Sequence, residues 1–316
     1  MSSALPERYP TVDTRAMFTN LLAAEWMKIA RRPMALLLLG IFLALTMLQQ
    51  TLWFLVVALQ DGTFSGGEVT FNLLSAAAIE QIKRQLSLPG VFGAMLSAIN
   101  GTGGILAVIL TAGIFGSDFN WGTLRILLTR APHRGAYLLA KLVALQLALL
   151  AAMAITLIVG VLLALLFSGI LGLPQQLSAI DLLLLPVGML RALLVMLPYT
   201  LIAAASAIFG RSVIAGVGGG LIFLAFDVSA GSLNTIGAVD PFIRTLVNLL
   251  LQPNINRLVV ENSRMFGLDQ SVLTSALDLN LLPSQWQAIV VIIVYSAIFA
   301  YSAYRTLSRQ DIGGAS

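Results

Sequence analysis

The chain offers little with which to do covalent chemistry. His133 is its only histidine and it contains no cysteine, so neither a two-histidine zinc motif nor thiolate chemistry can be assembled. A Ser-His-Asp triad would have to use His133, which stands in the basic stretch "TRAPHRG" away from any closed pocket. A phosphate-binding P-loop needs a lysine directly after a glycine, and none of Lys28, Lys83 and Lys141 follows one. Two ionisable residues, Arg191 and Asp227, interrupt long apolar runs. A charge held in hydrocarbon costs about 2.5–3.5 kcal/mol on insertion scales, so both should face protein or water. Arg191 lies about nine residues, roughly 13 Å, from the end of its run. Asp227 lies near the corresponding end of the next, so a pair or a shared polar cavity is expected.

The elements that position these residues are membrane spans. Of 316 residues, 58% are hydrophobic and 10% are charged, too few charges for an ordinary soluble domain. From Pro33 to Leu59 there is no charged residue, and roughly 20 apolar residues cross a hydrocarbon core about 30 Å thick. Further spans are expected near Val91–Phe115, Ala136–Phe167, Leu182–Ile208, Val213–Ala230 and Trp286–Tyr304. The fold class is all-α and polytopic, with residues 1–316 forming a single transmembrane domain. The first apolar run is too long for a signal-peptide core and is expected to be retained. Lys28, Arg31, Arg32, Arg125, Arg130, Arg134, Lys141, Arg211, Arg305 and Arg309 fall on one side if six spans alternate. The positive-inside bias makes that side, and both termini, cytoplasmic. The net charge of +4 is scattered along span borders, so nucleic acid is not an expected partner.

Residues 15–32 read as an amphipathic helix before the first span. Phe18, Leu22, Trp26 and Ile29 share a face, Glu25 sits at its edge, and Pro33 ends the helix. Such a helix is expected to lie at the lipid interface, the rival being a helix packed on a soluble subunit. The external segment 60–89 carries an apolar stripe of Phe71, Leu74, Ala78, Ile82 and Leu86, with Glu80 set to pair with Arg84. The external segment 231–284 mixes helical stretches with Asn and Pro breaks, which suggests weak helices. The glycine clusters "NGTGG" (Asn100–Gly104) and "GVGGG" (Gly216–Gly220) read as close helix contacts.

The connection between the second and third spans, 117–135, has parts interpretable on their own. Asp118 is placed to cap a short helix beginning near Asn120 or Trp121, residues 123–129 read as a short surface helix, and Pro132 ends it. The loop resembles that of the type-2 ABC exporter permeases, bacterial membrane subunits. Their acidic residue, Gly-Thr pair, Leu-Leu step and Pro-x-Arg are matched here by Asp118, Gly122, Thr123, Leu127, Leu128, Pro132 and Arg134, followed by Lys141. The stretch "LPYTLIAAASAIFGRSVIAG", the helix before the first span and the C-terminal "RTLSRQDI" add to the likeness. Asp118 stands where the family usually has glutamate, and the spacing to Gly-Thr varies.

The resemblance implies a multi-pass permease of the bacterial cytoplasmic membrane, dimeric with a second copy or a paralogue. It implies a separate ATP-binding-cassette ATPase as the partner that binds and hydrolyses ATP. Loop 117–135 would couple the two. The chain itself is then expected to be no enzyme and to hold no cofactor or metal; membrane lipid is its other partner. An alternative is a membrane anchor or assembly subunit that transports nothing.

Overall fold

The computed structural model describes residues 14–63, 74–120, 134–231, 240–269 and 281–309. All described secondary structure is helical, and six helical segments are long and apolar enough to cross a membrane. The protein is therefore a membrane-embedded, multi-pass, all-α protein. The helices are α1 (Thr14–Ala30), α2 (Pro33–Gln60), α3 (Ala76–Gln85), α4 (Gly90–Ala98), α5 (Gly104–Asn120), α6 (Arg134–Leu171), α7 (Ala179–Phe209), α8 (Val213–Gly231), α9 (Pro241–Val247), α10 (Leu251–Met265) and α11 (Gln285–Arg309). The spans are α2, the pair α4–α5, α6, α7, α8 and α11.

Local sequence explains most of the boundaries. Pro33 opens α2 at its first turn, where a missing N–H costs nothing. Ser178 and Asp181 form a reciprocal capping box at the start of α7. Asp240 accepts from the amides of Phe242 and Ile243 to start α9. The 38 residues of α6 would extend roughly 57 Å at about 1.5 Å each, more than the hydrocarbon core, so this helix projects or tilts.

The centre of the bundle is α7, which packs on α8, α11, α5 and α10, while α5 also lies against α8. Small residues set these crossings. A Cβ at Gly216 would stand 2.7 Å from Ala207 Cβ and 2.8 Å from Ala112 Cβ. One at Gly220 would meet Val108 Cγ1 at 2.6 Å and Ala203 Cβ at 3.0 Å. Glycine at both positions of this i,i+4 step lets three backbones converge, as expected from "GVGGG". The outlying span is α2, whose Leu36, Leu37, Leu48 and Leu52 are exposed.

The spans bring Arg32, Asp118, Arg134, Arg211 and Arg309 to one end of the bundle. There Arg134 donates to the carbonyls of Leu307 (2.9 Å) and Ser308 (2.7 Å), and Gly116 packs on the backbone of Ser212 and Val213. We call this the basic face. At the opposite face α3 buries Ala78, Ile79, Ile82 and Leu86, and Glu80 pairs with Arg84 at 3.4 Å, as the stripe predicts. Phe71 lies outside the described residues. The segment 231–284 contributes α9 and α10, and α10 is part of the bundle, packed on α11, α4, α7 and α8.

Two expectations need correction. The second span is not one regular helix: Ile99–Gly103 forms a π turn between α4 and α5. Gly103 there admits the Phe42 ring, 3.3 Å from the position of a Cβ, but Gly101 has open space around it. And α1 does not segregate polar from apolar faces as read. It packs on α6 with Ile29 buried, Phe18 and Leu22 half-buried and Trp26 exposed. Glu25, taken for an edge residue, is 3% exposed. The reason is electrostatic, since cations wait for it inside.

Candidate functional site

At the basic face, α1, α5 and α6 converge on a buried ionic cluster. Asp118 lies in the last turn of α5, and Tyr137 and Lys141 lie one turn apart in α6. Asp118 Oδ2 accepts from both the Tyr137 hydroxyl and Lys141 Nζ, and Lys141 Nζ is 3.0 Å from the Tyr137 oxygen. Glu25 of α1 approaches Lys141 at 3.9 Å and holds Lys28 at 2.5 Å. Lys141 also sits 5.2 Å from the centroid of the Phe115 ring, a favourable cation–π placement. Lys141 is 1% exposed and Asp118 4%. Two carboxylates and two ammonium groups thus neutralise one another where a lone charge would be costly. Just beside them Arg32 donates to the carbonyl of Gly113 (3.0 Å) and to Ser117 Oγ (2.6 Å), tying the α1–α2 junction to α5.

Asp118 itself lies inside α5, which continues to Asn120, and its Oδ2 turns inward to α6; the helix it was expected to cap lies outside the described residues. Of the loop positions singled out, Gly122, Thr123, Leu127, Leu128 and Pro132 lie outside the described residues. Asp118 and Arg134, which flank them, are anchored to α6 and to the end of α11 respectively. Segment 121–133 thus begins and ends at fixed points of the bundle.

Arg191 and Asp227 do not form the expected pair. Arg191 donates to Asn262 Oδ1 at 3.2 Å, and Asn262 in turn donates to the Gly188 carbonyl at 2.9 Å. Asp227 receives the Tyr199 hydroxyl at 2.6 Å and the Gln252 amide N–H at 3.1 Å. The physical reason is α10, which supplies a partner to each residue. A hydrogen-bonding helix packed into the bundle satisfies both charged side chains separately.

A second polar site, which no sequence motif had marked, lies in the spans toward the end opposite the basic face, where Leu268 adjoins it. Gln49, Gln50 and Trp53 of α2 face Ser97, Gly101 and Thr102 around the π turn, with Gln85 of α3 nearby, about a cavity of about 310 Å³. Gln50 is 4% exposed and its Oε1 has no hydrogen-bond partner. Both polar atoms of Asn100 in the π turn are likewise buried without a partner. Gln49, Gly101 and Thr102 are exposed, although Gln49 lies roughly 24 Å along α2 from Pro33. The signal was present in "LQQTLW", a glutamine pair inside an apolar run, and in the asparagine of "NGTGG". π turns of this kind concentrate at functional sites.

No curated protein and no solved structure matches the chain. A family match runs over residues 53–313, from the C-terminal part of α2 to beyond the end of α11. The chain therefore belongs to the family described as "Protein of unknown function (DUF2705)".

Proposed function

We propose that this protein is the membrane-spanning permease subunit of an ATP-binding-cassette exporter. The carrying observation is the polar strip of Gln49, Gly101 and Thr102, exposed on the spans α2 and α4–α5 beside Gln50, whose Oε1 has no partner among the described residues. Amides and hydroxyls turned toward lipid have no partners there. They call for water, solute or another protein surface, which a translocation path completed by a second copy or a paralogue provides.

The basic face supplies the second half of the reading. It is oriented to the cytoplasm by the positive-inside bias, which puts both termini there, in a bacterial cytoplasmic membrane. Segment 121–133 leaves α5 beside Asp118 and enters α6 at Arg134, so force on this segment reaches two spans and, through Glu25, α1. A cytoplasmic ATPase docked on Leu127 and Leu128 would move the bundle through these anchors, and ATP would be bound on that partner. The resemblance of Asp118, Gly122, Thr123, Pro132, Arg134 and Lys141 to the permease motif supports the same assignment.

The test is to seek an ATP-binding-cassette ATPase among the reading frames beside this chain, co-express the two, and purify through a tag on this chain alone. The ATPase should co-purify, and Leu127→Glu with Leu128→Glu should release it while the permease still inserts. A permease that purifies without any ATPase would support the anchor or assembly role instead.

A further inference from the structure

Between α1, α2, α5 and α6 lies a second cavity, of about 260 Å³, with no polar side chain on its wall beyond the indole N–H of Trp26. Trp26 and Ile29 enclose it from α1, Ala35 and Phe42 from α2, Leu106 from α5 and Ala148 from α6. It runs from Ala30, at the basic end, to Phe42 and the π turn. Along α2, from Pro33 to Phe42, it spans roughly 14 Å, about one leaflet of a core about 30 Å thick. A void of this size forfeits dispersion contacts along its whole wall. Water needs two to four polar partners and the wall side chains offer one, the indole N–H of Trp26. An acyl chain from the surrounding hydrocarbon suits such a wall.

Cations that adjoin wall residues in sequence select the headgroup. Arg31 directly follows Ala30, is exposed and forms no ion pair among the described residues. Lys28, one turn back, keeps its side chain 39% exposed. The acid nearest to them in sequence, Glu25, is buried and already engaged by Lys28 and Lys141. We infer that this groove is a binding site for an anionic phospholipid, its acyl chain between α1, α2, α5 and α6 and its phosphate beside Arg31 and Lys28. The inference is independent of the exporter assignment, because it uses neither the segment 121–133 nor the polar strip.

Tryptophan quenching tests it in the full chain. Trp53, Trp121 and Trp286 are replaced by Phe, which leaves Trp26 at the groove as the sole indole. The protein is reconstituted in vesicles containing phosphatidylglycerol or phosphatidylcholine with dibrominated acyl chains. Bromination quenches an indole only at close contact. Phosphatidylglycerol should reach half-maximal quenching at a several-fold lower mole fraction than phosphatidylcholine. Arg31→Gln should remove about five-fold of that preference, the value of one basic residue at an anionic surface. Ala148→Phe, which fills the groove, should reduce quenching by both lipids. Equal quenching by the two headgroups in the parent protein would mean bulk lipid only and would overturn the inference. So would a preference that survives Arg31→Gln unchanged.

Discussion

The ionic cluster makes a quantitative claim about Asp118 and Lys141. Removing one member of a buried pair strands the other and costs about 3–5 kcal/mol. The two single replacements should differ within that range. Asp118→Asn keeps an oxygen for the Tyr137 hydroxyl and leaves Lys141 with Glu25 at 3.9 Å, so its cost belongs near the lower end, about 3 kcal/mol. Lys141→Met takes from the buried Asp118 the ammonium bonded to its Oδ2, and it belongs near the upper end, about 5 kcal/mol. Independent sites would then give about 8 kcal/mol for the double variant. Replacing both, however, removes both charges and leaves Glu25 paired with Lys28 at 2.5 Å. The double variant should cost no more than Lys141→Met alone, which makes the coupling about 3 kcal/mol. Unfolding in mixed micelles of mild detergent and dodecyl sulfate, followed by tryptophan fluorescence, measures all four corners of the cycle. Costs that add to within about 0.5 kcal/mol would refute the argument, and the cluster would then be no unit.

Other consequences can be checked one by one. Arg191 and Asp227 have separate partners on α10, so Arg191→Gln and Asp227→Asn should add, whereas Asp227→Asn and Tyr199→Phe should couple by about 0.5–3 kcal/mol; the reverse pattern would restore a direct pair. Gly216→Leu drives a side chain into Ala112 and Ala207 and should cost about 1–3 kcal/mol or more; an unchanged melting temperature in detergent would show that the α5–α7–α8 crossing is looser than described. In the cysteine-free chain, Glu80→Cys, at an exposed site of α3, should react with an impermeant maleimide added to intact cells, and Arg309→Cys only after permeabilisation. The opposite result would invert the proposed orientation. If Gln50 lies on the translocation path, Gln50→Leu should lower transport by the assembled complex while leaving ATPase co-purification intact. Full transport by that variant would remove the α2 strip from the path.

What the sequence disclosed and what it hid follow from the solvent in which the helices sit. Hydropathy located each span to within a few residues, because a bilayer demands length and apolarity and little else. It was poorer at saying which side of a helix faces the protein. For α1 the sequence suggests one apolar stripe, Phe18, Leu22, Trp26 and Ile29, turned to the lipid interface, with Glu25 at its edge. Here Glu25 is buried while Trp26 and Met27 are exposed. The same inversion runs through the spans: most leucines of α2 look outward, and Gln50, Lys141 and Asp227 look in. Lipid is as apolar as leucine, so apolarity gives a span no reason to turn a particular face to its neighbours.

Polar side chains carry that information instead, but their partners lie far away in sequence. Lys141 meets Glu25 across 116 positions, beyond any local pattern. Asp118 shows the cost of reading locally. Next to Asn120 and Trp121 it has the form of a helix cap, and nothing within four residues reveals that Lys141 will claim it. The motif resemblance had marked both Asp118 and Lys141, and each looked like a separate feature of the loop. Their meeting gives the two marks one physical content. They are the clamp that fixes the ends of α5 and α6 against α1, so that whatever presses on the residues between them presses on three helices at once.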